Sequence, residues 1–221
     1  MVNDKMVNII IFDLGGVLIN LNVERCISRF RELMDNEYLQ SVLGLGDDGE
    51  GIVAVSAASR QLMVDFERGN ISIDNFVTEV LRVCHPGTTR QQVIDAWLSM
   101  LEDLPQERLD FVRLLKEQGK RVFLLSNGND LHFSVINAMY HLDAYFDHMF
   151  LSQELHLAKP DATIYEHVEQ AINPSHEPVI FIDDLEKNRF AASQSVGWET
   201  YESIDQLTTH LRDRYGRHTR R

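Results

Sequence analysis

Cysteine is scarce in this chain of 221 residues, which contains only Cys26 and Cys84. Both lie in segments with a helical pattern, and they form no CxxC pair. Two such residues cannot build a disulfide framework, so we predict that they are buried thiols in a reducing compartment. A chain of this length buries about 70% of its unfolded surface, and its core therefore needs no crosslinks.

The chain also has few positively charged residues and few long apolar runs. There are 21 lysine and arginine residues against 34 acidic ones, which gives a net charge of −13. This charge repels nucleic acids and anionic lipids, so neither is an expected partner. The basic tail at 212–221 is an exception, and we predict a solvated terminus there.

The apolar run at 9–12 is too short for a signal peptide or a membrane span, and we predict a cytoplasmic protein.

Short apolar runs, each followed by polar residues, predict buried β-strands. The strongest are Ile9–Phe12, Val122–Leu125 and Val179–Ile182, and the weaker ones are Met149–Leu151 and Trp198–Tyr201. Runs that are apolar on both faces are typical of parallel strands covered by helices on each side. Helical stripes alternate with them, for example Leu109, Val112 and Leu115 ending at Gly119, and Ile164, Val168 and Ile172 ending at Asn173. The alternation predicts an α/β fold with a doubly wound parallel sheet.

Residues 20–104 have a different pattern, with amphipathic helical stretches and no convincing strand. Their apolar faces are Val23, Ile27, Phe30 and Met34; Phe76, Val80 and Val83; and Val93, Trp97, Met100 and Leu101. Ser72 and Thr89 are predicted N-caps, and the four glycines within Gly44–Gly51 predict a loop. We therefore predict a helical cap domain at 20–104, inserted into a core domain of residues 1–19 and 105–221.

Polar residues follow all three strong strands. They are Asp13 with Gly15 and Gly16, then Ser126-Asn127-Gly128, and the pair Asp183-Asp184. Ligands bind at the carboxyl ends of strands in open α/β sheets, although the first two clusters could each be an ordinary turn. Adjacent carboxylates repel each other unless a cation or hydrogen bonds hold them, and oxygen ligands suit Mg²⁺.

In this order the clusters, together with Lys159, resemble the motifs of the haloacid dehalogenase-like hydrolase superfamily over nearly the whole chain. The matching segments are Phe12-Asp13-Leu14-Gly15-Gly16-Val17-Leu18, Leu125-Ser126-Asn127-Gly128, Ala158-Lys159-Pro160-Asp161 and Phe181-Ile182-Asp183-Asp184. The cap segment Phe66–Ser72 is similar to that of sugar-phosphate phosphatases, such as glucose-1-phosphate phosphatases, and of epoxide-hydrolase phosphatase domains.

The resemblance implies an Mg²⁺-dependent phosphohydrolase in which Asp13 attacks phosphorus and forms an aspartyl-phosphate. Mg²⁺ would be held by Asp13, Asp184 and the carbonyl of Gly15, with Asp183 acting directly or through water. Lys159 would offset the negative charge of Asp13 and the phosphoryl group. Ser126, together with backbone N–H groups near Leu14, Gly15 and Asn127, would hold the phosphoryl oxygens.

Gly15 departs from the pattern, because most phosphatases of the superfamily have a second aspartate there as acid and base. General acid–base catalysis contributes about 10²–10⁴-fold, so its loss need not abolish turnover. Glu24 or His132 could replace the missing aspartate as acid and base.

Dehalogenases of the superfamily, which use no metal, also lack this aspartate, but the pair Asp183-Asp184 favours a metal and hence a phosphate substrate. A member that binds a phosphorylated ligand or a partner protein with little turnover is the third interpretation.

The expected partner is a small phosphorylated metabolite, such as a sugar phosphate, because a cap of this size closes over the site. We predict that Trp97 packs between helices and does not contact the substrate. No pattern in the sequence predicts an oligomeric state.

Overall fold

Five parallel strands form one sheet in the computed structural model, which describes residues 7–36, 38–39, 57–173 and 175–215. They are β1 (Ile9–Phe12), β2 (Arg121–Ser126), β3 (His148–Leu151), β4 (Val179–Ile182) and β5 (Glu199–Tyr201), in the order β3-β2-β1-β4-β5. All four pairs of neighbours are parallel. The predicted doubly wound sheet is therefore confirmed, and its topology reverses beside the central strand β1.

Helices account for most of the remaining described residues. They are α1 (Val23–Arg31), α2 (Ala57–Glu67), α3 (Ile73–Leu81), α4 (Arg90–Leu98), α5 (Gln106–Glu117), α6 (Asp130–Tyr140), α7 (Ser152–Leu155), α8 (Ala162–Ile172), α9 (Glu186–Val196) and α10 (Ile204–Tyr215). The predicted loop at Gly44–Gly51 lies outside the described residues. The basic tail is helical through Tyr215, and its remainder lies outside them too. None of these helices combines the length and the apolar character that a membrane span requires.

The central strand is buried on both faces, as its apolar sequence predicts. Ile10 and Phe12 point into a cluster that includes Leu109 and Val112 of α5. Ile9 and Ile11 point to the other side, into a cluster that includes Ile164 and Val168 of α8 and Ala192 of α9. Because successive side chains of a strand face opposite sides, the unbroken apolar run fills two cores at once.

A separate apolar cluster joins α1, α2, α3 and α4. Trp97 packs against Phe30, Phe66 and Phe76, with ring centroids 5.3–6.3 Å apart, so its predicted packing role is confirmed. Ser72 and Thr89 cap α3 and α4 as predicted. Cys26 is buried in this cluster. Cys84 is only partly buried, and its Sγ lies 3.3 Å from the carbonyl oxygen of Val80.

Two chain segments that run antiparallel connect these helices to the sheet. The N–H group of Asn20 donates to the carbonyl of Asp103 at 2.9 Å, and the N–H group of Glu102 donates to the carbonyl of Asn20 at 3.0 Å. The N–H group of Asn22 donates to the carbonyl of Met100 at 2.7 Å. We propose that this paired connection marks the predicted boundary between core and cap.

The turn that follows α2 also bridges the two parts. Ser152 donates from Oγ to the carbonyl of Glu67 at 2.6 Å, and His156 donates from Nδ1 to the carbonyl of Arg68 at 2.8 Å. The Arg68 guanidinium pairs with Asp161 of the core. Three residues within 152–161 of the predicted core therefore contact the end of one helix of the predicted cap.

Gly69 is expected to be essential to this contact, because its φ of +66° is left-handed and a Cβ would lie 2.1 Å from the carbonyl oxygen of Gln153. Gly119 has a similar φ of +77° but nothing within 4 Å of such a Cβ. We predict that Gly69→Ala lowers the free energy of unfolding by about 1–3 kcal/mol more than Gly119→Ala, since only the first adds a clash to the strain. Urea denaturation of both variants measures the difference, and equal losses would contradict the contact.

Candidate active site

Three carboxyl groups meet at the carboxyl edge of the sheet, where the topology reverses. Asp13 follows β1, and Asp183 and Asp184 follow the neighbouring strand β4. Each offers an oxygen atom, and these oxygens all lie within 4.8 Å of one another. The register of the strands sets this arrangement, since Phe12 is paired with Ile182 and the next residue of each strand carries the carboxylate.

Lys159 lies between two of these carboxylates. Its Nζ is 2.9 Å from Oδ1 of Asp13 and 2.6 Å from Oδ2 of Asp183. Its side chain is only 1% exposed, and its Nζ lies 5.6 Å from the centre of the Phe181 ring. Burial by itself lowers the pKa of Lys159, but the charges of Asp13 and Asp183 outweigh it and raise the pKa, so the ammonium group stays protonated.

Asp183 and Asp184 have different surroundings. Asp183 is fully buried, and besides Lys159 it accepts hydrogen bonds from the N–H group of Leu185 at 2.9 Å and from Nδ2 of Asn188 at 3.0 and 3.1 Å. Asp184 is exposed, and its carboxylate lies against Gly16, where a Cβ would be 2.4 Å from Oδ2. The glycine thus allows the first-strand turn to approach Asp184, whose oxygens remain available to a ligand.

The segment after β2 supports Lys159 through its backbone. Asn127 donates from Nδ2 to the Lys159 carbonyl at 2.8 Å and accepts from the Lys159 N–H group at 2.9 Å. The Asn127 side chain is therefore engaged, and only its N–H group could contact a phosphoryl oxygen. Ser126 is buried at the same edge of the sheet, and its Oγ donates a 3.3 Å hydrogen bond to the Asn127 carbonyl.

Ser152 and Gln153 lie at this edge too, although the sequence reasoning did not single them out. Ser152 accepts at Oγ from the N–H group of Gly128 at 3.0 Å. The Oε1 atom of Gln153 is buried without a hydrogen-bond partner among the described residues, and it lies 3.8 Å from the position of a Cβ on Gly128. Both residues directly follow β3, whose end at Leu151 was predicted, so they would have been found if the strand-end rule had been applied to this weaker strand as well.

Neither residue suggested as a substitute for the missing acid has suitable surroundings. The ring of His132 stacks on Trp97, its Nε2 donates to the Trp97 carbonyl at 3.0 Å, and its Nδ1 lies 3.5 Å from Nδ2 of Asn129. Burial lowers the pKa of His132 to about 4, and both nitrogens of the neutral ring are engaged. The Glu24 side chain is 74% exposed and faces Arg31.

The balance of charge at the site fits a divalent cation. Three carboxylates face a single ammonium group, and burial raises the pKa of Asp13 to about 7, with Asp183 adding to the effect and Lys159 opposing it. Burial and the neighbouring Asp183 also raise the pKa of Asp184. Oxygen ligands of this kind suit Mg²⁺, which would offset the repulsion. Asp13, Asp184 and the carbonyl of Gly15 are the groups that we propose would hold it.

Comparison with known proteins agrees with the fold and the site. A model of the haloacid dehalogenase-like hydrolase family matches residues 7–195, so the chain belongs to this family and is a hydrolase. It is 24% identical to a D-ribitol-5-phosphate phosphatase from Bacteroides thetaiotaomicron over 203 residues, covering 89% of this chain and 92% of that protein. It is 28% identical to a sesquiterpene phosphatase from Aspergillus oryzae over 201 residues, covering 90% and 91%.

A solved structure shows the same architecture. A family enzyme from Bacteroides thetaiotaomicron, crystallised with magnesium and inorganic phosphate, superposes with a TM-score of 0.72 at 30% identity. The match covers 89% of this chain and 93% of that one. A magnesium ion and a phosphate are thus bound by a protein that shares this fold.

The raised pKa of Asp13 predicts a stability that depends on pH in the absence of metal. Between the ordinary value of 3.8 and about 7 the folded state binds more protons than the unfolded state, so stability falls as pH rises through this window. Asp13→Asn removes the buried charge. We therefore expect the variant to melt above the wild type in EDTA at pH 8, by several degrees, and by less at pH 5.

Scanning calorimetry at both pH values measures this effect, and about 1 kcal/mol corresponds to roughly 2–4 °C for a chain of this size. Asp110→Asn is the matched control, because Asp110 pairs with Arg113 on the surface of α5. If Asp13→Asn instead melts below the wild type at pH 8, the ionised Asp13 carboxylate does not destabilise the fold.

Proposed function

We propose that this chain is an Mg²⁺-dependent phosphohydrolase that uses Asp13 as its nucleophile. The observation that carries the proposal is the Lys159 ammonium group, buried between Asp13 and Asp183, with Asp184 beside them. A carboxylate attacks a phosphate dianion only where positive charge offsets their repulsion. Lys159 supplies one such charge, and Mg²⁺ would supply the rest as a Lewis acid on a phosphoryl oxygen.

The residues around Asp13 would each contribute to phosphoryl transfer. Asp13 forms a bond to phosphorus as the bond to the leaving oxygen breaks, and water then hydrolyses the aspartyl-phosphate. Ser126 and the N–H group of Asn127 hold the phosphoryl oxygens. Asp183 orients Lys159 and would support the metal through water, since its own oxygens already accept several hydrogen bonds. Asp184, with its carboxylate exposed, would be a direct ligand of the metal.

The substrate that we propose is a small phosphorylated metabolite. The two phosphatase relatives act, by their names, on a sugar-alcohol phosphate and a sesquiterpene phosphate, and both substrates are small. The free thiols of Cys26 and Cys84 support a reducing, cytoplasmic location.

Dehalogenation and binding without turnover are less well supported. A metal-free dehalogenase has no use for a second carboxylate at the end of β4, and Asp184 is held near Gly16 with its oxygens available. Loss of catalysis would remove the selection for a buried lysine between two carboxylates, which is costly to maintain.

We predict that the protein with Mg²⁺ hydrolyses p-nitrophenyl phosphate and acetyl phosphate, and that EDTA abolishes the activity. Asp13→Asn should lower kcat by at least about 10³-fold, because it removes the nucleophile, whereas Asp110→Asn should leave kcat unchanged. Release of inorganic phosphate measures both, and a panel of sugar and sugar-alcohol phosphates then ranks the substrates.

Two other results would replace this proposal. Release of halide from a 2-haloacid in the presence of EDTA, without phosphatase activity, would establish a dehalogenase. No turnover of any substrate, together with a melting temperature raised by Mg²⁺ and phosphate in the wild type but not in Asp184→Asn, would establish a binding protein.

A further inference from the structure

A buried side-chain amide without a hydrogen-bond partner lies beside the candidate active site. Gln153 is only 6% exposed, and its Oε1 atom is buried and unpaired among the described residues. A buried amide oxygen that accepts no hydrogen bond destabilises the fold, and in native proteins it is explained by a bound ligand, a bound water molecule or a functional role. The position of Gln153 and the chemistry of its amide favour a ligand.

The Gln153 side chain and Ser126, a proposed ligand of the phosphoryl group, border the same space. A Cβ on Gly128 would be 3.8 Å from Oε1 of Gln153 and 3.9 Å from Oγ of Ser126. Apart from the chain neighbours Asn127 and Asn129, no other heavy atom of the described residues would lie within 4 Å of that Cβ. Because position 128 has no side chain, a small space lined by an amide and a hydroxyl group is left beside the proposed phosphoryl site.

The sheet order places Gln153 on the side of the site that is opposite the proposed metal ligands. The strands that lead to Asp13 and Ser126 lie in the middle, with β3 on one side of them and β4 on the other. Gln153 follows β3, whereas Asp183 and Asp184 follow β4. A phosphoryl group at Asp13 and Ser126 would therefore have the carboxylates and the cation on one side and a neutral amide on the other.

The backbone of Gln153 is fixed where the predicted cap contacts the core. The turn after α2 packs so closely on the Gln153 carbonyl that a Cβ on Gly69 would clash with it. The preceding residue, Ser152, donates from Oγ to the Glu67 carbonyl at 2.6 Å and accepts from the N–H group of Gly128 at 3.0 Å. The amide is thus held at the junction of the two parts before a ligand arrives, which lowers the entropic cost of binding.

A hydroxyl group is the ligand that suits this amide. It donates to the amide oxygen and accepts from the amide N–H groups, so it satisfies Gln153 whichever way the amide is turned. A phosphoryl dianion has only acceptor oxygens and leaves Oε1 of Gln153 unpaired. A hydrocarbon group offers no hydrogen bond at all.

We propose that Gln153 determines substrate specificity by binding a hydroxyl group of the leaving alcohol, beside the phosphoryl group that Ser126 holds. The inference rests on the phosphohydrolase function proposed above. It defines the substrate class as phosphate monoesters of polyhydroxy alcohols, as distinct from esters of hydrocarbon alcohols. Gln153 takes no part in breaking the phosphate ester, so its contribution lies in the choice of substrate.

Gln153→Met tests this role, because methionine is similar in length and lacks the amide. The value of kcat/KM is measured for two matched pairs of esters, namely glycerol 3-phosphate with propyl phosphate and D-ribitol 5-phosphate with pentyl phosphate. We expect the wild type to prefer the polyol ester of each pair. In Gln153→Met the ratio of the two kcat/KM values should fall by about 10–100-fold, because the bound hydroxyl group loses its partner.

Two further variants separate a specificity role from a structural one. Gln153→Glu keeps the acceptor oxygen and repels both esters of a pair alike, so it should retain more of the preference than Gln153→Met. Gln106→Met is the matched control and should keep the wild-type ratio, since Gln106 is an exposed glutamine of α5 that donates to Asp110. If Gln153→Met does not fold, the wild-type preference and Gln153→Glu still decide the question.

The comparison of matched esters also gives the results that would overturn the proposal. They are a wild type with no preference for the polyol esters, and a Gln153→Met variant that loses activity equally on both esters of a pair. The second result would show that the amide binds only water or supports the fold. Either result leaves the phosphohydrolase function standing, whereas a wild type that cleaves no phosphate ester, including p-nitrophenyl phosphate, contradicts that function itself.

Discussion

The arrangement of the site depends on one buried ammonium group. Removing a lysine from water is costly, and at 1% exposure Lys159 is stabilised by the carboxylates of Asp13 and Asp183, which both lie within 2.9 Å of it. Those carboxylates belong to adjacent parallel strands, so the pairing of β1 with β4 and the position of Lys159 support each other. Asn127 fixes the backbone of Lys159 from the strand on the other side. The three strand ends therefore form one polar unit.

The same unit explains why the proposed phosphate site would need a cation. Lys159 satisfies Asp13 and Asp183 in part, while Asp184 adds a charge that Lys159 and Arg189 offset only partly. A site with excess negative charge repels a phosphate dianion, and only a divalent cation reverses the sign of the local field. Because strand register and glycine contacts hold the ligands in place before any ion arrives, binding requires little reorganisation.

The sheet and its strand-end residues could be predicted because both depend on short-range pattern. Unbroken apolar runs such as Ile9–Phe12 indicate strands buried on both faces, and parallel strands bring their carboxyl ends to one edge. The contacts between cap and core were not predictable in this way. The suggestion of His132 as a base rested on its closeness in sequence to Ser126, but stacking on Trp97 turns its ring into the cap interface. The contacts of the α2 end with Ser152 and Asp161 join positions 85 and 93 residues apart in the chain, and no local pattern relates such positions.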